Sequence, residues 1–189
     1  MIKKWNKLKS VLKNEKKLYY KEKSIGRIIF DIFNNESNMQ IWKYQKSLRI
    51  TEYFFNGKKN IIKMILYVIY LRKTNKLGLK LGIYIPVNVF DEGLKIDHYG
   101  SITINGLCRI GKNCRLHGNN CIGNKGVGNE DKFPIIGDNL DLGVGAVIIG
   151  NVSIGNNVVV GANAVVNKSW KDNCVLVGIP AKDINKRMD

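Results

Sequence analysis

Two histidines, His98 and His117, and four cysteines, Cys108, Cys114, Cys121 and Cys174, are the side chains of this 189-residue chain best suited to chemistry near neutral pH. A neutral imidazole can take a proton from an attacking group and return it to a leaving group. The cysteines form no C-x-x-C pair and only two histidines could join them, so the spacing argues against zinc and no metal is expected. In a reducing compartment such thiols pack as small hydrophobes. Cys108 and Cys114 stand six residues apart, and that interval recurs through the second half of the chain.

The elements that must hold these residues follow from a beat of six. Ile104, Ile110, Leu116 and Ile122 keep it, and Ile136, Leu142, Ile148, Ile154, Val160 and Val166 resume it. All ten are aliphatic. The next position is mostly Gly (111, 123, 137, 143, 155, 161), read as a residue that permits a turn. The position four after each aliphatic is small or apolar: Cys108, Cys114, Ala146, Val152, Val158, Ala164. A period of six fits neither a helix face nor an alternating strand. It predicts a parallel β-helix, in which equivalent positions stack into ladders and several coils share one core. Cys108 and Cys114 become neighbouring rungs. His117 occupies the position after Leu116, which faces outward and suits a cleft rim.

Between Ile122 and Ile136 the beat breaks, with eight residues more than one hexad needs. They are polar and glycine-rich, including Asn124, Lys125, Gly126, Gly128, Asn129, Glu130 and Asp131. Such residues leave the coil as a solvent loop, expected over 124–133, and insertions on a solenoid often build its binding face.

The stretches "IDHYGSITIN", "RIGKNCRLH", "IGDNLDLGVGAVIIGNVSIGNNVVVGANAVVNKS" and "VGIPAKDI" resemble the hexapeptide-repeat acyltransferases. They are most similar to serine acetyltransferases and their short relatives associated with surface polysaccharides. The resemblance covers rather more than half of the chain. It implies a left-handed parallel β-helix, a homotrimer and acetyl-CoA as donor. It makes His98, in "IDHYG", the general base, and Asp97 before it a substrate contact. The family's extruded loop covers an active site between two subunits.

Two departures from the family pattern stand out. The Asp that orients the catalytic imidazole, fifteen residues before it, is replaced by Ile83; a backbone carbonyl, or Asp91 or Glu92, is left to take its place. The family's Arg-His pair before Pro reads Lys132-Phe133. Lys132 can still meet a carboxylate, without the fork of Arg, and Phe133 offers a face to a sugar ring. These two residues shift the expected acceptor from free serine toward a saccharide hydroxyl, and His117 at the rim is a further candidate substrate contact. For the donor, the resemblance points to Asn124, to the small rungs Gly143, Val144 and Ala162, and to Lys168 and Lys182 for the phosphates. The alternatives are serine O-acetylation and a scaffold without catalysis.

Residues 1–80 show no hexads and read as a basic helical region of three or four helices that caps the solenoid. Helices are expected over "SIGRIIFDIF", "MQIWKYQKSLRITEYFF" and "NIIKMILYVIYLRK". The last is apolar on most sides, so it should be buried between elements or subunits. The net charge of +16 is concentrated here, with 20 Lys/Arg against 5 Asp/Glu in residues 1–80. No nucleic-acid motif accompanies it, so a solvated lysine face is the plain reading and contact with an anionic membrane the second. The basic start is followed by no apolar signal core, and the run Ile61 to Leu71 is shorter than the roughly 20 residues that span a bilayer. The expected location is the cytoplasm.

Overall fold

The computed structural model describes residues 1–20, 24–58 and 60–185. It divides into two compact units, Met1–Gly82 and Ile83–Asp189. The first is helical: α1 (Trp5–Tyr20), α2 (Ile25–Phe33), α3 (Ser37–Asn56) and α4 (Ile61–Leu81). Local chemistry sets the helix ends. Ser24 Oγ accepts from the Arg27 N–H at the start of α2, and Asn60 Oδ1 accepts from the Lys63 N–H at 2.8 Å at the start of α4. The last turn of α4 closes on Gly82, whose left-handed φ of 67° a side chain would resist.

Helix α3 packs against α1 and α4. Ile2, Leu8 and Val11 are buried with Leu12, Ile50 and Tyr53 packed against them. The rest of this interior is polar. Arg49, fully buried, donates to Glu15 at 2.8 Å and to Glu52 at 2.9 Å. Gln45 donates to Glu15 and accepts from the Tyr19 hydroxyl. Trp42 and Tyr44 are buried, and Phe54 and Phe55 lie against Tyr70 and Tyr67, so these aromatics serve packing. Helix α4 is not buried between elements of the chain, one of the two placements expected for it. Its first turns are not covered within the chain; Ile61, Ile62, Met64, Ile65, Val68 and Ile69 are each more than half exposed.

The second unit is a parallel β-helix of fourteen short strands: β1 (Ile83–Tyr84), β2 (Lys95–Ile96), β3 (Ile102–Ile104), β4 (Arg109–Ile110), β5 (Arg115–Leu116), β6 (Cys121–Gly123), β7 (Ile135–Ile136), β8 (Asp141–Leu142), β9 (Val147–Ile149), β10 (Ser153–Ile154), β11 (Val159–Val160), β12 (Val165–Val166), β13 (Val175–Val177) and β14 (Lys182–Asp183). They form three faces. Face A runs β1-β3-β6-β9-β12, face B β4-β7-β10, and face C β2-β5-β8-β11-β13-β14. Only the final pair, β13 with β14, is antiparallel.

The ladders match the six-residue beat. Ile104, Ile122, Ile148 and Val166 stack on face A; Ile110, Ile136 and Ile154 on face B; Leu116, Leu142 and Val160 on face C. All ten aliphatics are buried, as are Cys108, Cys114, Ala146, Val152, Val158 and Ala164. Burial pushes the Cys108 thiol up to about 11 and the Cys114 thiol up to about 12, so neither is a nucleophile. Partners one coil apart differ by 18 residues through the middle of the solenoid and by 26 where the coil carries the surplus residues, which leave between β6 and β7; the first coil is longer, at 19–20 residues, and the last is shorter, at 16.

The glycines after the aliphatics have a different purpose from the one expected. None of Gly111, Gly123, Gly137, Gly143, Gly155 and Gly161 has a positive φ. Most sit where the next coil passes too close for a side chain; a Cβ on Gly143 would lie 2.7 Å from the Ala162 nitrogen. The left-handed corner residue comes two positions later and is usually Asn: 113, 119, 139, 157, 163 and 173. Four of these form a ladder, Asn113 donating to Asn139, Asn139 to Asn157 and Asn157 to Asn173, at 2.8–3.2 Å. Asn tolerates this conformation and joins corner to corner through its amide.

Candidate active site

The corner where face C turns into face A carries His98, just after β2. Continuing the register of Ile96 with Leu116, Leu142 and Val160 places His98, Gly118, Val144 and Ala162 in one column. The backbone confirms the stacking: the Gly145 N–H donates to Gly118 O, and the Asn163 N–H to Val144 O. A Cβ on Gly118 would come 3.3 Å from the His98 Cβ, so a side chain there would crowd His98 from the next coil. His98 is exposed and its ring has no hydrogen-bond partner among the described residues. Neither Asp91 nor Glu92 supplies one, and no backbone carbonyl does; Glu92 instead lies 3.8 Å from Lys112. Ile83 is buried in the ladder beside Ile102.

His117 is held quite differently. It lies in the neighbouring outward column, level with Asp97 one coil below and Gly143 one coil above. Its Nε2 is 2.7 Å from Asp141 Oδ1, and its Nδ1 is 3.4 Å from Asp97 Oδ2. A carboxylate can only accept, so Nε2 carries the hydrogen toward Asp141. Asp97 is also bound by Arg115 at 2.6 Å and approached by Lys95 at 3.8 Å. The pairing with Asp97 pushes the Arg115 guanidinium above its ordinary value. Lys95, Arg115 and Asp141 share one outward column by register. The signal for this cluster was in the sequence, since each stands one residue before a rung of face C, but it needs the surplus eight residues subtracted before Asp141 falls into line.

The remaining candidates divide between corners. Gly143, Val144 and Ala162 lie beside or above His98, at the corner of faces C and A. Asn124, Lys132 and Phe133 lie on the loop leaving the corner of faces A and B. Asn124 Oδ1 accepts from the Gly126 N–H, Lys132 Nζ reaches Asn129 Oδ1 at 3.4 Å, and Phe133 is half-buried. Lys168 shares that second corner, in the same column as Asn124 and two coils above it by the register of Ile122, Ile148 and Val166; its ammonium sits 4.6 Å over the Trp170 ring. Lys182 is exposed on β14. Within one chain, then, the two sets of candidates stand at opposite edges of face A.

No family model matches the chain. Among curated proteins it is 32% identical over 93 residues to a serine acetyltransferase of Synechococcus elongatus. It is 39% identical over 87 residues to that of Staphylococcus xylosus. These stretches are 49% and 46% of this chain, and it covers 38% and 40% of those proteins. Over these stretches the chain is similar to the serine acetyltransferases. It spans about two fifths of the length of the relatives it matches. The fold agrees over a longer stretch. The serine acetyltransferase of Brucella abortus strain S19 superposes with a TM-score of 0.71 at 19% identity, over 95% of this chain and 69% of that one. The same enzyme in complex with coenzyme A gives 0.72 at 18% identity, over 95% and 68%. The soybean apoenzyme gives 0.70 at 20% identity, over 95% and 69%. These neighbours share the left-handed β-helix with an N-terminal helical region, the fold expected from the hexads together with the family resemblance and the helical reading of residues 1–80.

Proposed function

We propose that the protein transfers the acetyl group of acetyl-CoA to a hydroxyl, with His98 as general base. The observation that carries this reading is the state of the two imidazoles. His117 Nε2 is hydrogen-bonded to Asp141 and its Nδ1 faces Asp97 Oδ2 at 3.4 Å, so both ring nitrogens point at carboxylates. His98 is exposed, with no partner at its ring among the described residues, one coil below Gly118 at the foot of a column of small residues. In the reaction His98 takes the proton of the acceptor hydroxyl as its oxygen attacks the thioester carbon. The C–S bond then breaks, and the proton passes to the sulfur, giving the acetyl ester and free thiol. Small side chains at Gly118, Val144 and Ala162 would let an extended thioester arm lie along the coils. Lys168, Asn124 and the loop bearing Lys132 and Phe133 would complete the site from the other corner of a second copy, which a homotrimer provides.

Serine is the acceptor to which the named relatives point, and none of them points to a saccharide; the preference for a sugar drawn from Lys132 and Phe133 gives way on that ground. One observation favours a neutral acceptor as the second reading. Asp97, the residue expected to meet an amino acid, is already paired with Arg115, and an ammonium would have to displace that guanidinium. An acceptor screen decides between them, scoring thiol release from acetyl-CoA with serine and with nucleotide sugars. If serine is the acceptor, Arg115→Gln frees Asp97 and lowers the KM for serine at nearly constant kcat. If no hydroxyl compound releases thiol above the rate with water, the protein is a scaffold and the proposal is wrong.

A further inference from the structure

The outward face of α4 is built the wrong way round for a helix in water. Its inward stripe recurs at steps of three and four residues through Leu66, Tyr70, Thr74, Leu77 and Leu81. This stripe meets α3: the Thr74 hydroxyl lies 2.8 Å from that of Ser47 and 3.0 Å from that of Thr51, and Tyr70 lies against Phe54. The opposite stripe should be polar. Instead its first half is Ile61, Ile62, Met64, Ile65, Val68 and Ile69, each more than half exposed. Its second half carries Arg72, Lys73, Lys76 and Lys80, all exposed. The interior of the same helical unit buries Glu15, Gln45, Arg49 and Glu52. Charge is inside and isoleucine is outside. A contiguous apolar patch of this kind marks a surface that something apolar covers.

We infer that this face of α4 rests on an anionic lipid bilayer. The isoleucine half would enter the boundary between headgroups and acyl chains, and the basic half would lie against the headgroups. Three observations select this occupant. First, α4 contains five Lys/Arg and no Asp or Glu. The whole of residues 1–80 holds 20 cations against 5 acids. Two copies laid face to face would bring like charges together without an acidic partner, whereas an anionic surface complements them. Second, no helix of the described residues is long and apolar enough to cross a membrane. The apolar stretch from Ile61 to Leu71 measures about 16 Å along the axis, which suits lying in the interface. Third, α2 has the same character independently, exposing Ile25, Ile29, Phe30 and Phe33 on one side.

Flotation of the full chain with lipid vesicles tests this. One set is phosphatidylcholine alone, and the other includes about 30 mol% phosphatidylglycerol. The protein should float with the anionic vesicles at low salt, at least about tenfold better than with the neutral ones, and should lose that advantage as salt screens the charge. The double variant Ile65→Asp, Ile69→Asp should stay with the buffer while its thermal melt by circular dichroism is unchanged. The variant Arg72→Gln, Lys76→Gln should bind anionic vesicles roughly 25-fold more weakly and neutral ones as before. This second variant leaves the apolar stripe intact, so it decides the matter should the first fail to fold. Failure of the unmodified chain to float with either vesicle overturns the inference. So does flotation that neither variant weakens. A native mass in sedimentation equilibrium that falls on introducing the two aspartates, without vesicle binding, would show that a second copy covers the face.

Discussion

At the scale of single residues, the contrast between the two histidines decides how the site is read. Sequence placed His98 by its motif and His117 by its outward position, and both lie at the same corner on neighbouring coils. What the sequence left hidden was the partner of His117. Asp141 is 24 residues away, and only the stacking of coils brings it to 2.7 Å. The absence of the family's orienting Asp was legible, since Ile83 stands in its place; the structure adds that Ile83 is buried in the aliphatic ladder. The cysteines were legible too, because a six-residue interval makes Cys108 and Cys114 rungs of a core. Their thiols are pushed up to about 11 and 12. At pH 8 a disulfide reagent should therefore leave both unmodified in the native chain and modify them once the chain is denatured. The same shift has a sign for stability. The unfolded thiols ionise near pH 9, below the folded ones, so the folded state loses ground as pH rises past that value.

At the scale of elements, the β-helix was readable because every coil repeats the same demand. An aliphatic must fill the interior at each strand, and ten positions, four before the loop and six after it, say so. The glycines misled for a physical reason. A glycine serves either an unusual φ or a close approach, and composition alone does not separate the two. Here the neighbouring coil requires them, and the turn falls to Asn. The helical unit was less readable, since its core is a charge network rather than an apolar stripe. Helix α1 holds Glu15 against Arg49 of α3, and no periodicity announces such a pair. Replacing Arg49 with Met would leave Glu15 and Glu52 buried without their cation. The expected cost is about 3–5 kcal/mol, read as a large fall in the midpoint of thermal unfolding. Replacing all three by apolar residues of similar size should recover most of that loss.

At the scale of the whole molecule, the division of candidates between two corners becomes the main prediction about assembly. His98 and its column stand at one edge of face A, and the loop with Lys132 and Phe133 leaves the other. A site shared between copies requires that two defective chains help each other. A chain lacking residues 125–132 should fold, because the surplus lies outside the coil, and should be inactive alone. Mixed and reassembled with a His98→Ala chain, it should regain a part of the wild-type rate, since some interfaces then pair an intact histidine with an intact loop. Independent sites would give no recovery. The account's central claim rests on His98 as the base, and thiol release from acetyl-CoA tests it most directly. With an acceptor present at saturating concentration, His98→Ala should lower kcat by about 10²–10⁴-fold, while His117→Ala stays within about tenfold of the wild type. Full activity in the His98→Ala protein would contradict the assignment.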